Sequence, residues 1–333
     1  MADAPRKATI TDVARTAGVS LSTVSRVMNG NATVDPQLAE RVRATAVDLG
    51  YSANPLARSL VLGRTQTVAV VVPDLANPTF QAILRGISRA AASSGYHVLI
   101  ADSAEQVDEE RLLAVETRRR TDGVILCAPR MEQDQLEALL PGLSPVVVVN
   151  RARQDGAPVV TADYRGALAE LVEHLYSLGH RRLAFLAGVA RSASNAARLT
   201  ALAQARSALG DLEIVEVACG VDFDSGSAVA DTVLATGATG ILAFNDLVAM
   251  GLLSALADRG VRVPEDVSVV GFDDIPFARY TSPPLTTAAV PAAELGERAW
   301  RAMHALLTGT EPEAFAILAP HVAVRGSTSA AAS

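Results

Sequence analysis

Two hydrophobic rhythms divide the chain. Over residues 9–50 apolar positions are sparse and recur at helical spacing: Ile10, Val13, Ala14 and Ala17, then Val24, Val27 and Met28, then Leu38, Val42, Ala46 and Leu49. Steps of three and four put each set on one face of a short helix. Thr9 followed by Asp12 predicts a capping box for the first helix, and Ser20 is the cap expected for the second. Gly18 suits the tight turn between them, and Asn29-Gly30 ends the second. Asp35-Pro36 gives the third helix a cap and a proline at its first position, and Gly50 closes it. Helices with so few core positions exist to present a surface.

From Thr67 onward short apolar runs alternate with helical stretches. "TVAVVVP", "YHVLIAD", "DGVILCA", "PVVVVN", "RRLAFLAG", "GILAFND" and "VSVVGFDD" read as buried strands. Strands alternating with helices predict parallel sheets covered on both faces. The stretch is too long for one sheet, so two lobes are expected. In such sheets ligands sit beyond the carboxyl ends of the strands. Those ends carry Asp74 and Asn77, Asp102, Cys127, Asn150, Asn245-Asp246 and Asp273-Asp274. A cleft of carboxylates and amides suits a ligand with many hydroxyls, such as a sugar. Phe80 and Phe223 are candidates for an apolar face under its ring. Asp246 and Asp274 read better as caps of the next helix or turn, and His180 in "LGHRR" as a cap at a helix-to-strand turn.

Charge sharpens the picture of the head. The formal net charge is −7, yet residues 1–64 hold eight basic against five acidic side chains. A basic head on an acidic body fits a polyanion met by the head alone. Three short helices sharing a small core match a helix-turn-helix unit, whose second helix enters the DNA major groove. Arg26 is then placed to pair with guanine, Ser22 to hydrogen-bond and Leu21 to touch a thymine methyl. Thr9, Ser20, Thr23, Ser25 and Asn29 have the short polar chemistry suited to phosphates. "NPLARSLVLGRT" reads as a two-turn helix, marginal unless something holds it. Leu60 faces outward in such a helix, ready to wedge into a minor groove.

These segments together carry a resemblance. "TITDVARTAGVSLSTVSRVMNG", "LGYSANPLARSL" and "GRTQTVAVVVPDLANPTF" resemble the opening of a LacI/GalR-family transcriptional regulator. The resemblance implies a dimeric repressor on a near-palindromic operator, with hinge helices that form on DNA. It implies Leu60 inserted at the central step and Ala57 facing the minor groove, with Leu21, Ser22 and Arg26 at base-contact positions. It also implies a periplasmic-binding-protein-like core behind the head. "SASNAARLTAL" points to Arg198 as the effector clamp, and "AFNDLVAMG" and "VVGFDDIPFARYTSPPLTT" point to Asn245 and Asp273. Thr79, Phe80, Cys127, Asn150 and Ser194 fall on positions that commonly line the same cleft. Three residues depart from the pattern: Thr79 stands where an aromatic is common, Asn150 where a carboxylate is, and Val290 where a polar group is.

The expected architecture is therefore α/β: a small all-α helix-turn-helix head, then a two-lobed, doubly wound parallel-sheet core. Residues 1–52 form the head, 53–65 the hinge and 66–333 the core. Its N-lobe takes about 66–161 plus 291–320 and its C-lobe about 162–290 plus 321–329. The expected function is an operator-binding repressor whose affinity a small ligand changes, most simply a sugar acting as inducer. A co-repressor answering to a nucleobase or other metabolite uses the same parts with opposite sign. A solute-binding protein fits the body but not the head. Enzyme chemistry finds no support: there is no GxGxxG, Walker loop, HExxH or GxSxG, and the histidines lack metal-ligand spacing. No cofactor is expected. Neither is a signal peptide or membrane span, since the N-terminus has no apolar h-region and no run of 18 apolar residues occurs; two cysteines without a disulfide framework suit a reducing compartment. A cytoplasmic location is expected, and since the C-terminus carries no leucine heptads like those of the tetramer-forming coil in some family members, the homodimer that the resemblance implies is the expected assembly.

Overall fold

The computed structural model describes residues 8–28, 33–51 and 63–331. Asn29, Ala57 and Leu60 lie outside them. The chain separates into two compact units, one up to Gln66 and one from Thr67.

The head holds α1 (Ile10–Ala17), α2 (Leu21–Met28) and α3 (Pro36–Asp48). Its capping box is formed: Thr9 N–H donates to Asp12 Oδ2 at 3.0 Å and Asp12 N–H to Thr9 Oγ1 at 3.4 Å. Gly18 takes φ +66°, which lets α1 turn sharply into α2. Ser20 Oγ accepts from Thr23 N–H, and Asp35 Oδ1 from Leu38 N–H. Val13, Ala14, Ala17, Val24, Val27, Ala39, Val42 and Ala46 make the core. Leu49, just past the end of α3, is exposed, and Ala39 on α3 is buried instead.

The second unit contains two six-stranded sheets. The first orders β1 (Thr67–Val72), β2 (His97–Asp102), β3 (Gly123–Cys127), β4 (Val146–Val149), β5 (Val159–Ala162) and β11 (Phe315–Leu318) as β11-β5-β4-β3-β1-β2. The second orders β6 (Arg182–Ala187), β7 (Glu213–Ala218), β8 (Gly240–Ala243), β9 (Ser268–Asp273), β10 (Thr286–Ala289) and β12 (His321–Ala323) as β12-β10-β9-β8-β6-β7. Every pairing is parallel except β10 with β12. The chain passes between the sheets after β5, after β10 and after β11. β5 and β11 pair side by side, as do β10 and β12, so the crossings leave from neighbouring strands.

Each lobe contains a helix pair in backbone contact. Pro78–Ser93 meets Ala292–Thr308 through Gly86 and Gly296, where a Cβ would overlap the carbonyl oxygens of Ala293 and Ile83. Phe223–Ala228 meets Asp246–Asp258 through Gly226 and Gly251, against the carbonyls of Val248 and Phe223.

Three expectations about polar residues are corrected. Asn245, not Asp246, caps its helix, accepting from Val248 N–H at 2.9 Å. Asp246 is wholly buried and accepts from Thr287 Oγ1 at 2.6 Å and Ile275 N–H at 2.8 Å, tying three segments together. Asp274 pairs with Arg325 at 2.6 Å rather than capping a turn. His180 is also no cap: its imidazole is buried between Thr239, Ser268 and the Ser329 carbonyl. Among the described residues no helix is long and apolar enough to cross a membrane.

Candidate functional site

Strand ends from both lobes converge on one cleft. The first lobe contributes Asn77, Thr79 and Phe80 after β1, Glu105 after β2, Ala128 and Arg130 after β3, and Asn150 after β4. Tyr164 follows β5 at the first crossing. The second lobe contributes Ser194 and Arg198 from the helix Ala193–Ala208, Val221 after β7, Phe244 and Asn245 after β8, and Asp273 at the end of β9. Ala128, Asn150 and Asp273 have φ of +45°, +57° and +112°, left-handed values that cost about 1–3 kcal/mol each in non-glycine residues. Backbone strain thus gathers where three strands open into the cleft.

Arg198 dominates the chemistry. It is 2% exposed, and its Nε and Nη1 are buried without a hydrogen-bond partner. Its guanidinium lies 3.9 Å from the Phe272 ring centroid, 4.6 Å from Phe244 and 4.8 Å from Tyr164. Cation–π attraction offsets part of the desolvation, but burial still lowers its pKa to about 10. Asp273 faces the same space. Thr79 Oγ1, from the opposite lobe, donates to Asp273 Oδ2 at 2.8 Å. Burial raises the Asp273 pKa to about 6, with Arg198 and the Thr79 bond pulling the other way. An unsatisfied donor beside a carboxylate is an arrangement a ligand with both acceptors and donors completes.

The remaining wall is more settled. Arg130 makes a two-pronged pair with Glu105 at 2.6 and 2.8 Å and donates to the Ala128 carbonyl. Buried Glu110 accepts the N–H groups of Arg130 and Met131, and burial raises its pKa. Asn245 Nδ2 donates to the Val221 carbonyl at 2.8 Å, so its amide both caps a helix and fixes the wall. Asn150 Oδ1 accepts from Ala162 N–H, and Ser194 Oγ meets Ser192 Oγ at 2.8 Å.

Seven of the sequence-derived cleft residues therefore meet: Thr79, Phe80, Asn150, Ser194, Arg198, Asn245 and Asp273. Two do not. Cys127 is 1% exposed inside the apolar core, where burial raises its thiol to about 12; its neighbour Ala128 reaches the cleft instead. Phe223 is 45% exposed as the first residue of a helix capped by Asp222, and Val221 takes the wall position. Tyr164, Phe244, Glu105 and Arg130 were missed. Phe244 adjoins Asn245 in "AFND", a signal available in the sequence, and Tyr164 directly follows the end of the unrecognised β5.

In the head, Leu21, Ser22 and Arg26 are exposed along α2, Leu21 at 49%. Ser20 Oγ lies 2.8 Å from both Ser22 Oγ and Thr23 Oγ1, a cluster of hydroxyls at the start of that helix. Thr9 is exposed at the start of α1, and Ser25 is partly buried on α2.

Comparison with known proteins joins the two halves. Residues 9–54 match the family described as bacterial regulatory proteins, lacI family, and residues 172–328 match the periplasmic binding protein-like domain. The chain is 32% identical over 322 residues to catabolite control protein A of Priestia megaterium, covering 94% of this chain and 96% of that protein. It resembles the Lac repressor dimer bound to operator and the anti-inducer ONPF with a TM-score of 0.89 at 27% identity, covering 98% of this chain and 100% of that one. A complex of the regulator CelR with cellobiose matches at TM-score 0.69 and 31% identity, covering 96% and 99%. The relatives are regulators rather than enzymes, and the head, the cleft and their order agree: this chain belongs to the LacI family of DNA-binding transcriptional regulators.

Proposed function

We propose that the cleft binds a polyhydroxylated small molecule, a sugar or sugar derivative, and that binding releases the protein from a near-palindromic operator held by a cytoplasmic homodimer. The observation that carries this is the unpartnered Arg198 guanidinium beside Asp273. Adjacent hydroxyls accept from the first and donate to the second, while Phe80, Tyr164 and Phe244 provide apolar faces. Binding between lobes favours one arrangement of the pair, which links the cleft to DNA affinity. The sugar complex of CelR supports the ligand class, and the operator complex of the Lac repressor supports the DNA partner. The test is operator fragments selected from genomic DNA at fixed salt, then retested with a panel of sugars and nucleobases. Unchanged affinity across the panel defeats the ligand-responsive part, and tighter binding with a ligand reverses its sign.

For the head, Leu21, Ser22 and Arg26 are the proposed base readers. Thr9, Ser20, Thr23 and Ser25 are the proposed phosphate contacts. Asn29, Ala57 and Leu60 are assigned to DNA from the sequence. Arg26→Ala is expected to weaken operator binding by about 1–3 kcal/mol and relax specificity at one base pair. Fluorescence anisotropy on operator and random duplexes checks this. Equal loss on both assigns Arg26 to phosphate instead.

The cleft should also be acid-sensitive. Hydroxyl donors need Asp273 ionised, so effector affinity should fall as pH drops below about 6. Stability runs the other way for this group. Its folded pKa stands above the ordinary 3.8, so its contribution is complete below about 3.8 and lost as pH rises through about 6. Titration calorimetry between pH 5 and 8 (flanking that value by about 1–2 units) reads the first effect. An affinity flat across that range removes Asp273 from the contact.

A further inference from the structure

The interlobe cleft continues past Arg130. Around Arg198 the cleft as it stands offers about 40 Å³ of room, space for roughly three waters, so a sugar ring enters there only as the lobes part. Beyond the Glu105–Arg130 pair lies a second chamber, a groove open to solvent, of about 390 Å³. Gln106 and Val107 bound it from one lobe, and Val189, Ala190 and Arg191 from the other. Glu105 and Arg130 stand in the walls of both chambers, so the pair forms a waist between them.

The outer chamber's chemistry narrows what fits. Arg130 is matched by Glu105 at 2.6 Å, and Arg191 reaches Glu132 of the opposite lobe at 3.6 Å. Arg130 already has its carboxylate, and the looser, exposed Arg191–Glu132 contact sets a second carboxylate beside the space, so a ligand phosphate or carboxylate would meet an anion at either cation. Hydroxyls instead find acceptor lone pairs on Glu105 and donors on Gln106. Val107, Val189 and Ala190 add small apolar surface of the kind that packs against a ring face. Glu105 itself is held in place at a backbone cost: Ala104 and Glu105 take φ of +49° and +60° in succession.

We propose that the effector is a neutral saccharide of at least two linked rings, one beside Arg198 and Asp273 and the next in the outer chamber across Glu105–Arg130. This rests on the reading of the cleft as the effector site. Because the second ring touches both lobes, it adds to the lobe-to-lobe contact that effector binding exploits.

The test is titration calorimetry on the full chain with glucose, galactose and xylose as single rings, and cellobiose, maltose, lactose and xylobiose as pairs. Phenyl glucoside supplies a single ring with an apolar arm. At least one disaccharide is expected to bind tenfold or more tightly than its component ring. Ala190→Trp, at an exposed position, should remove that advantage while leaving single-ring and operator affinities intact. Val107→Trp fills the chamber from the other lobe and should do the same. Single rings binding as tightly as pairs, with neither tryptophan having an effect, overturns the second subsite. Preference for phenyl glucoside also overturns it, moving the extension to the apolar groove beside Phe315 and Ile317. Binding of no saccharide at all defeats the effector-site reading itself, and the two-ring proposal with it.

Discussion

Arg198→Met is expected to abolish effector binding while leaving the fold as stable as before or more so. The two effects separate because the guanidinium has different partners in the two situations. Without ligand, Nε and Nη1 have no hydrogen-bond partner and the charge leans on three aromatic rings. A buried charge without hydrogen bonds contributes little stability, and Asp273, which loses a favourable neighbour, can take up a proton instead of standing as an uncompensated charge. Met is long and adaptable enough to fill the space against Phe244 and Phe272. With ligand, the same two nitrogens make charge-assisted bonds of about 1.5–3 kcal/mol each. Losing both weakens binding by roughly two to four orders of magnitude. Thermal melting and titration calorimetry on the same preparation read both effects. A melting point lowered by many degrees, with ligand affinity retained, would make Arg198 a structural residue and empty the cleft of its main contact.

Gly251→Val should cost more stability than any cleft substitution. A Cβ at Gly251 overlaps the carbonyl oxygen of Phe223, a backbone atom that cannot rotate away. The reciprocal contact at Gly226 leaves no second direction for the helices to yield. Overpacking costs about 1–3 kcal/mol where side chains can move, so a backbone clash belongs at or above the top of that range. For a unit this size about 3 kcal/mol corresponds to a melting point lower by roughly 6–12 °C. The head's core is separate, so its helical signal should melt as in the parent. Calorimetry that shows no shift in the larger transition would contradict the close packing.

The sequence made some strands far easier to read than others, and the reason is chemical. The seven recognised from apolar runs are dominated by Val, Ile, Leu and Phe, and most are buried along nearly their whole length. β10 reads Thr-Thr-Ala-Ala, yet Thr286 and Thr287 are wholly buried. Their hydroxyls are satisfied by Asp246, Thr328 and Arg325, residues remote in sequence, so no local pattern marks them as core. β7 lies at a sheet edge, with Ile214 and Val217 buried, Val215 partly buried and Glu213, Glu216 and Ala218 exposed, so it carries neither an apolar run nor a strict alternation. β5 reads Val-Val-Thr-Ala without the unbroken valine run of β4, and β11 and β12 lie at sheet edges with exposed or partly exposed positions among their residues. The cleft followed the same rule in part. Asp273 and Asn150 were found at the ends of recognised strands and Tyr164 was lost with β5, but Glu105, Arg130 and Phe244 follow recognised strands and were still missed, so strand recognition accounts for only part of the cleft.

The three crossings carry a mechanical consequence. They leave from neighbouring strands, with Ala162 level with Leu318 on one side and Ala289 level with His321 on the other. Two rigid bodies joined by one cord can slide, twist and tilt freely. Joined by three short cords lying side by side, they keep one soft degree of freedom, a tilt about the line through the cords. A body joined this way would work as a lever with a fixed pivot. A ligand in the cleft would then select an angle along a single coordinate, and chemically different effectors would produce graded versions of one movement rather than different movements.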